Sequence, residues 1–131
     1  MRVMADTNIY ISTLLFPASL PAKVLLHISE KHTLVLCDHI VAEIRDVVSR
    51  KRPDLLADVD ILLAQLSCEM VVAPKESGQR ISDPKDQPIL NAAIMAGVDV
   101  IVSGDKHFLA LDMERPKPMS AADFWQREKG R

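Results

Sequence analysis

Thr33-Leu34-Val35-Leu36-Cys37 is a short, β-rich apolar run, and Asp38-His39-Ile40-Val41-Ala42-Glu43-Ile44-Arg45-Asp46-Val47-Val48 follows it without a gap. The first segment has the length and composition of a buried strand. In the second, Asp38 is suited to cap a helix, and Ile40, Ile44, Val47 and Val48 fall on one stripe at helical spacing. A buried strand that runs directly into an amphipathic helix is the unit from which parallel sheets are built, because a parallel neighbour is reached only through a crossover.

The unit recurs on both sides. Arg2 to Ala5 predicts a short strand, followed by helices over Asn8 to Phe16 and Leu20 to Glu30, the second with Pro21 in its first turn. After Cys37 and its helix come a helix over Asp54 to Gln65, a strand over Glu69 to Val72, and a loop from Ala73 to Pro84 marked by Pro, Ser and Gly. Asp86 to Ala96 is helical and stops at Gly97, Val98 to Val102 is a buried strand, and Lys106 to Leu111 is a short helix. Beyond Pro116 and Pro118, Ser120 is placed to cap a last helix. This alternation predicts an α/β fold, a three-layer αβα sandwich around a mainly parallel central sheet. No repeat or linker divides the chain, so residues 1–131 are expected to form one domain.

Composition narrows the partners. The 131 residues are 48% hydrophobic, enough for one core. Eighteen acidic side chains against 16 basic ones leave a net charge of -2, so nucleic acid would be held only by local basic patches. An aromatic content of 4% argues against a base-stacking platform. With four glycines there is no phosphate-binding P-loop or dinucleotide motif. Cys37 and Cys68 sit in apolar or amphipathic runs and read as free thiols of a reducing compartment. No signal-peptide pattern is seen, and no apolar run approaches the roughly 20 residues of a membrane span. A soluble cytoplasmic protein without membrane contact is expected.

The acids carry the chemistry. In open parallel sheets the functional crevice lies outside the carboxyl ends of the strands. Asp6 follows the first strand directly, Asp105 follows Val100 to Val102 after Ser103 and Gly104, and Glu43 lies in the second turn of the helix after Cys37. Asp86 opens the helix that feeds the strand at Val98 to Val102. Each acid alone has an ordinary explanation: Asp6 and Asp86 as helix N-caps, Glu43 as a solvated acid, Asp105 as a turn residue. On any parallel arrangement Asp6, Asp105 and Glu43 share one sheet edge, and Asp86 joins them if its helix start folds over that edge; carboxylates crowded there repel unless a cation compensates. Without a His/Cys constellation beside them, hard oxygen-seeking Mg²⁺ or Mn²⁺ is the expected ion, suited to phosphoryl chemistry.

At this point the chain resembles the PIN domain family, and within it the compact toxins of toxin–antitoxin pairs. Val3-Met4-Ala5-Asp6-Thr7-Asn8-Ile9-Tyr10-Ile11-Ser12 is similar to the first family motif, and Asp38-His39-Ile40-Val41-Ala42-Glu43-Ile44 to the second. Asp83-Pro84-Lys85-Asp86 with Ile89-Leu90-Asn91-Ala92-Ala93 resembles the third, and Val100-Ile101-Val102-Ser103-Gly104-Asp105-Lys106-His107-Phe108-Leu109 the fourth, with Ser103 in place of the commoner Thr. The resemblance implies an endoribonuclease that cleaves single-stranded RNA with Mg²⁺ or Mn²⁺, is inhibited by a cognate antitoxin, and forms a homodimer. It implies metal ligation and catalysis by Asp6, Glu43, Asp86 and Asp105, with Asn8, Ser12 and Ser103 as polar supports that orient them. Asp83 competes with Asp86, which is favoured because it stands three residues before Ile89 at the helix start.

Lys106 and Arg45 are candidate RNA contacts, although Arg45, Arg50, Lys51 and Arg52 form a basic run at a helix end, where cations already favour the helix dipole. His27, His32, His39 and His107 show no ligand spacing. Three other readings compete. A haloacid-dehalogenase-like phosphatase needs a second Asp two residues after the first, and that position is Asn8. A receiver domain needs an acidic pair at its first strand, which is missing. A PIN-like RNA-binding module without cleavage differs from the lead reading only in activity.

Overall fold

The computed structural model describes residues 1–75, 81 and 84–130; Asp83 lies outside them. The strands are β1 (Arg2–Ala5), β2 (Thr33–Cys37), β3 (Cys68–Val71), β4 (Val100–Val102) and β5 (Lys117–Met119). The helices are α1 (Thr7–Leu15), α2 (Leu20–Lys31), α3 (Asp38–Lys51), α4 (Leu56–Gln65), α5 (Gln87–Met95), α6 (Lys106–Leu109) and α7 (Ala121–Lys129), with a 3-10 turn at Pro53–Leu55. The sheet order is β3-β2-β1-β4-β5, and all four pairings are parallel. The expected α/β architecture is therefore present, with a sheet that is wholly rather than mainly parallel.

The central strands show no alternation. Val3, Met4 and Ala5 in β1, and Leu34 and Val35 in β2, have no exposed surface at all. Successive side chains of a strand point to opposite faces, so both faces of the sheet are covered by helices. The stripe read on α3 is the buried one, through Ile40, Ile44 and Val48. Each such buried aliphatic side chain stabilises the fold by ~1.5–3 kcal/mol relative to exposure.

Three local readings are corrected. Lys117–Met119 forms a strand, β5, where the sequence pattern predicts no element before the last helix. Pro118 is tolerated there because β5 is an edge strand. Its ladder runs through neighbouring positions: Lys117 donates to the Asp99 carbonyl at 2.9 Å, and the Ser103 N–H donates to the Met119 carbonyl at 2.9 Å. β4 begins at Val100 rather than Val98, because Gly97 takes a φ of 65° and the Val98 N–H bonds back to the Ala93 carbonyl at 2.9 Å to close α5. Asp38 lies inside α3, with Cys37 as the cap. Its Oδ1 accepts from the N–H of His39 at 2.9 Å and of Ala73 at 2.8 Å, tying the segment after β3 to the start of α3.

Cys37 and Cys68 are free thiols, the first buried and the second half-buried. Among the described residues no single helix is long and apolar enough to cross a membrane.

Candidate functional site

The register of the sheet brings the site together. Ala5 on β1 pairs with Val102 on β4, so the residues that follow, Asp6 and Ser103, leave the sheet side by side. The Asp6 N–H extends the ladder by donating to the Val102 carbonyl at 3.0 Å. Ser103 is fully buried and donates its hydroxyl to Asp6 Oδ2 in a short hydrogen bond. The same Ser103 Oγ accepts from the backbone N–H of Asp105 at 2.9 Å. One hydroxyl thus couples two strand-end acids.

Asp6 is both a helix cap and a strand-end acid joined through Ser103 to Asp105, so the two readings of it do not compete. Its Oδ1 accepts from the Ile9 N–H at 3.3 Å, which caps α1, while Oδ2 faces Ser103. The residue is only 4% exposed. Burial raises its carboxyl pKa from 3.8 to about 6, opposed by the donated hydrogen bonds and assisted by the Asp105 charge. Asp105 caps the short α6, with Oδ1 accepting from the His107 N–H at 2.7 Å.

Glu43 approaches from α3 in its second turn. Its Oε1 accepts from the Thr7 hydroxyl at 3.2 Å, directly after Asp6 in the chain, and lies 3.2 Å from His39 Nε2 one helical turn back. His39 Nε2 is also 3.2 Å from the Lys85 carbonyl, the residue before Asp86. Asp86 stands at the start of α5, where its side chain makes no capping bond. His39 therefore links the helix carrying Glu43 to the turn that precedes Asp86.

Thr7 and His39 had no role in the sequence reading. Each had a visible signal: Thr7 is the hydroxyl beside the strand-end acid, and His39 is four residues before Glu43 on one helix face. Of the polar supports, Ser103 makes the contacts described. Asn8 exposes its side chain, and its contribution to Asp6 comes through its backbone. Ser12 is half-buried one turn further along α1. Lys106 is exposed at the first position of α6, beside Asp105. Arg45 is held 2.7 Å from Asp60 of α4, which directs its guanidinium to that helix.

Asp6, Glu43, Asp86 and Asp105 offer carboxylate oxygens, although among the described residues no three of them bring these oxygens within 4.8 Å of one another. The groups that orient the first two and Asp105 are hydroxyls, backbone N–H donors and the His39 ring. Such an all-oxygen set matches Mg²⁺ or Mn²⁺ and would relieve the charge that burial disfavours on Asp6. Ser103→Ala is expected to weaken Mn²⁺ binding roughly tenfold to a hundredfold, because Asp6 loses its hydroxyl donor and its link to Asp105. Titration of the folded variant with Mn²⁺ measures this. An unchanged affinity would separate Ser103 from the metal site.

The family model described as PIN domain matches residues 2–107. A solved structure, VapBC2 from Rickettsia felis bound to a DNA fragment from their promoter, is similar in fold. It gives a TM-score of 0.69 at 19% sequence identity, with 92% of this chain and 100% of that chain covered. No curated protein matches the sequence.

Proposed function

Because this chain belongs to the PIN domain family, we propose that its carboxylate edge cleaves single-stranded RNA in a Mg²⁺- or Mn²⁺-dependent hydrolysis of phosphodiesters. The observation that carries this reading is Asp6, buried, raised to about 6 and coupled through Ser103 to Asp105 at the ends of two adjacent parallel strands. Asp6, Glu43, Asp86 and Asp105 are the residues that would hold the cation. When bound, it supplies Lewis-acid stabilisation of the phosphodiester charge and makes water a better nucleophile.

The remaining steps belong to the chain. Ser103 fixes the direction of the Asp6 carboxylate and the start of the turn carrying Asp105. Thr7 and His39 contact Glu43 Oε1 at 3.2 Å each and so fix the orientation of the carboxylate that would bind the cation. Exposed Lys106 is the cation nearest in sequence to Asp105, and in this reading it meets an RNA phosphate. Arg45 has a weaker claim, since its charge is matched by Asp60.

The fold shared with VapBC2, a protein solved on a DNA fragment from its promoter, is compatible with a regulated setting. In this reading the chain is a toxin held inactive by a cognate protein antitoxin, and it pairs as a homodimer. The experiment is cleavage of a labelled single-stranded RNA by the purified chain. Cleavage is expected with Mn²⁺ or Mg²⁺ and should stop in EDTA. Activity that survives chelation would overturn the metal-dependent mechanism, and no activity with any divalent ion would favour RNA binding without cleavage.

A further inference from the structure

Two histidines and a glutamate meet on the other side of the molecule. His27 lies in the last turns of α2, His32 is the residue after that helix and before β2, and Glu128 lies near the end of α7. His32 precedes a strand, so the cluster sits at the amino edge of the sheet, opposite the strand-end carboxylates. His27 Nε2 is 2.9 Å from Glu128 Oε1, and His32 Nε2 makes a short contact with the same oxygen. One donor atom from each residue falls within 4.8 Å of the others.

The three side chains are held in place. The His27 ring meets His32 edge-on at 5.8 Å and Trp125 at 5.4 Å, and His32 packs against Phe124 at 6.0 Å. The other ring nitrogen of His32, Nδ1, lies 3.3 Å from the Met1 amino nitrogen, so Nε2 is the atom turned to the cluster. The Glu128 side chain is 6% exposed and that of His32 8%, while His27, at 26%, opens the cluster to solvent on one side. Ordering these side chains costs little further entropy when an ion binds.

We propose that His27, His32 and Glu128 form a Zn²⁺ site, with a solvent molecule as the fourth ligand, that fastens α7 to α2. Two imidazoles and one carboxylate make a borderline donor set that suits zinc and not Mg²⁺. Tetrahedral zinc spaces its ligand atoms ~3.3 Å apart, so both imidazoles must draw back from Glu128 Oε1, His27 Nε2 by a few tenths of an ångström from its present 2.9 Å and His32 Nε2 by more. The helix that supplies Glu128 lies beyond residue 107, outside the part of the chain that the PIN family model matches. The site is thus separate in position and in metal preference from the carboxylate edge.

Calorimetric titration of ZnCl₂ into the full chain tests this, using Asp6→Asn as the parent so that the carboxylate edge is weakened. One Zn²⁺ per chain is expected, insensitive to excess Mg²⁺, with affinity lower by roughly tenfold or more in His27→Gln and in Glu128→Gln. Zinc should raise the melting temperature of the parent by roughly 5 °C or more and leave that of His27→Gln almost unmoved. His27 is the most exposed of the three, so its variant is the one expected to fold. Co²⁺ bound to the unsubstituted chain gives an independent reading, since a nitrogen-bound tetrahedral site produces strong visible absorption. Equal zinc affinity in parent and His27→Gln, or weak octahedral Co²⁺ absorption only, would overturn the proposal.

Discussion

Asp6→Asn is expected to lower the proposed RNA cleavage by on the order of a hundredfold or more while leaving the fold intact. The size follows from what is lost. A metal cluster that stabilises developing phosphoryl charge contributes several kcal/mol, and each ~1.4 kcal/mol is tenfold in rate. Asp6 is the most buried of the four acids and the one that Ser103 couples to Asp105, so its charge is the hardest to replace from elsewhere. Asn preserves the shape and can still accept from Ile9 N–H, so the helix cap survives. Glu43→Gln and Asp86→Asn should show losses of similar order, and Asp83→Asn a far smaller one. Arg45→Ala should change cleavage little, because the guanidinium is engaged by Asp60. Cleavage rates of the purified variants on one labelled RNA decide between these. A fully active Asp6→Asn would remove the carboxylate edge as the site, and an inactive Asp83→Asn beside an active Asp86→Asn would exchange the two third positions.

The legible part of this fold was the part governed by burial on both faces. β1, β2 and β4 are continuous apolar runs because helices cover both sides, and such runs announce themselves without alternation. The strand-end acids were legible for the same reason, since a strand that ends abruptly at Asp6 or near Asp105 places them on one edge. β5 was not legible: at three residues with a central Pro, only its position as an edge strand makes it possible. Hydrogen bonds between side chains were read only where the chain brings both partners near in sequence. His39 and Glu43 are four apart and could have been paired. The meeting of His27 and His32 with Glu128 spans about a hundred residues, and scanning the histidines for ligand spacing could not find it.

The stability of the metal-free chain provides a separate view of Asp6. Its carboxyl is raised from 3.8 to about 6 on folding, mainly by burial. Folding therefore favours the protonated form, so the contribution of Asp6 is fully present below its unfolded pKa and is lost as the pH rises through about 6. That difference corresponds to ~3 kcal/mol, and with the residue almost wholly buried solvent screening reduces it little. Asn carries no charge but places an amide nitrogen where one oxygen was, and an unmatched donor there costs ~1–3 kcal/mol. The net gain for Asp6→Asn in EDTA near neutral pH is then ~1 kcal/mol, a melting temperature higher by roughly 3–5 °C. Near pH 4 the gain should disappear, because the wild-type carboxyl is then largely protonated too. Saturating Mn²⁺ should reverse the order. Binding at a hundred times the dissociation constant stabilises the wild type by ~2.7 kcal/mol, and the variant much less. Thermal melts of both proteins in EDTA and in Mn²⁺, at the two pH values, test both the burial cost and the metal binding of Asp6. A crossing of the two curves identifies Asp6 as a ligand held in an unfavourable charged state until metal arrives, whereas equal metal responses would leave it as a helix cap and nothing more.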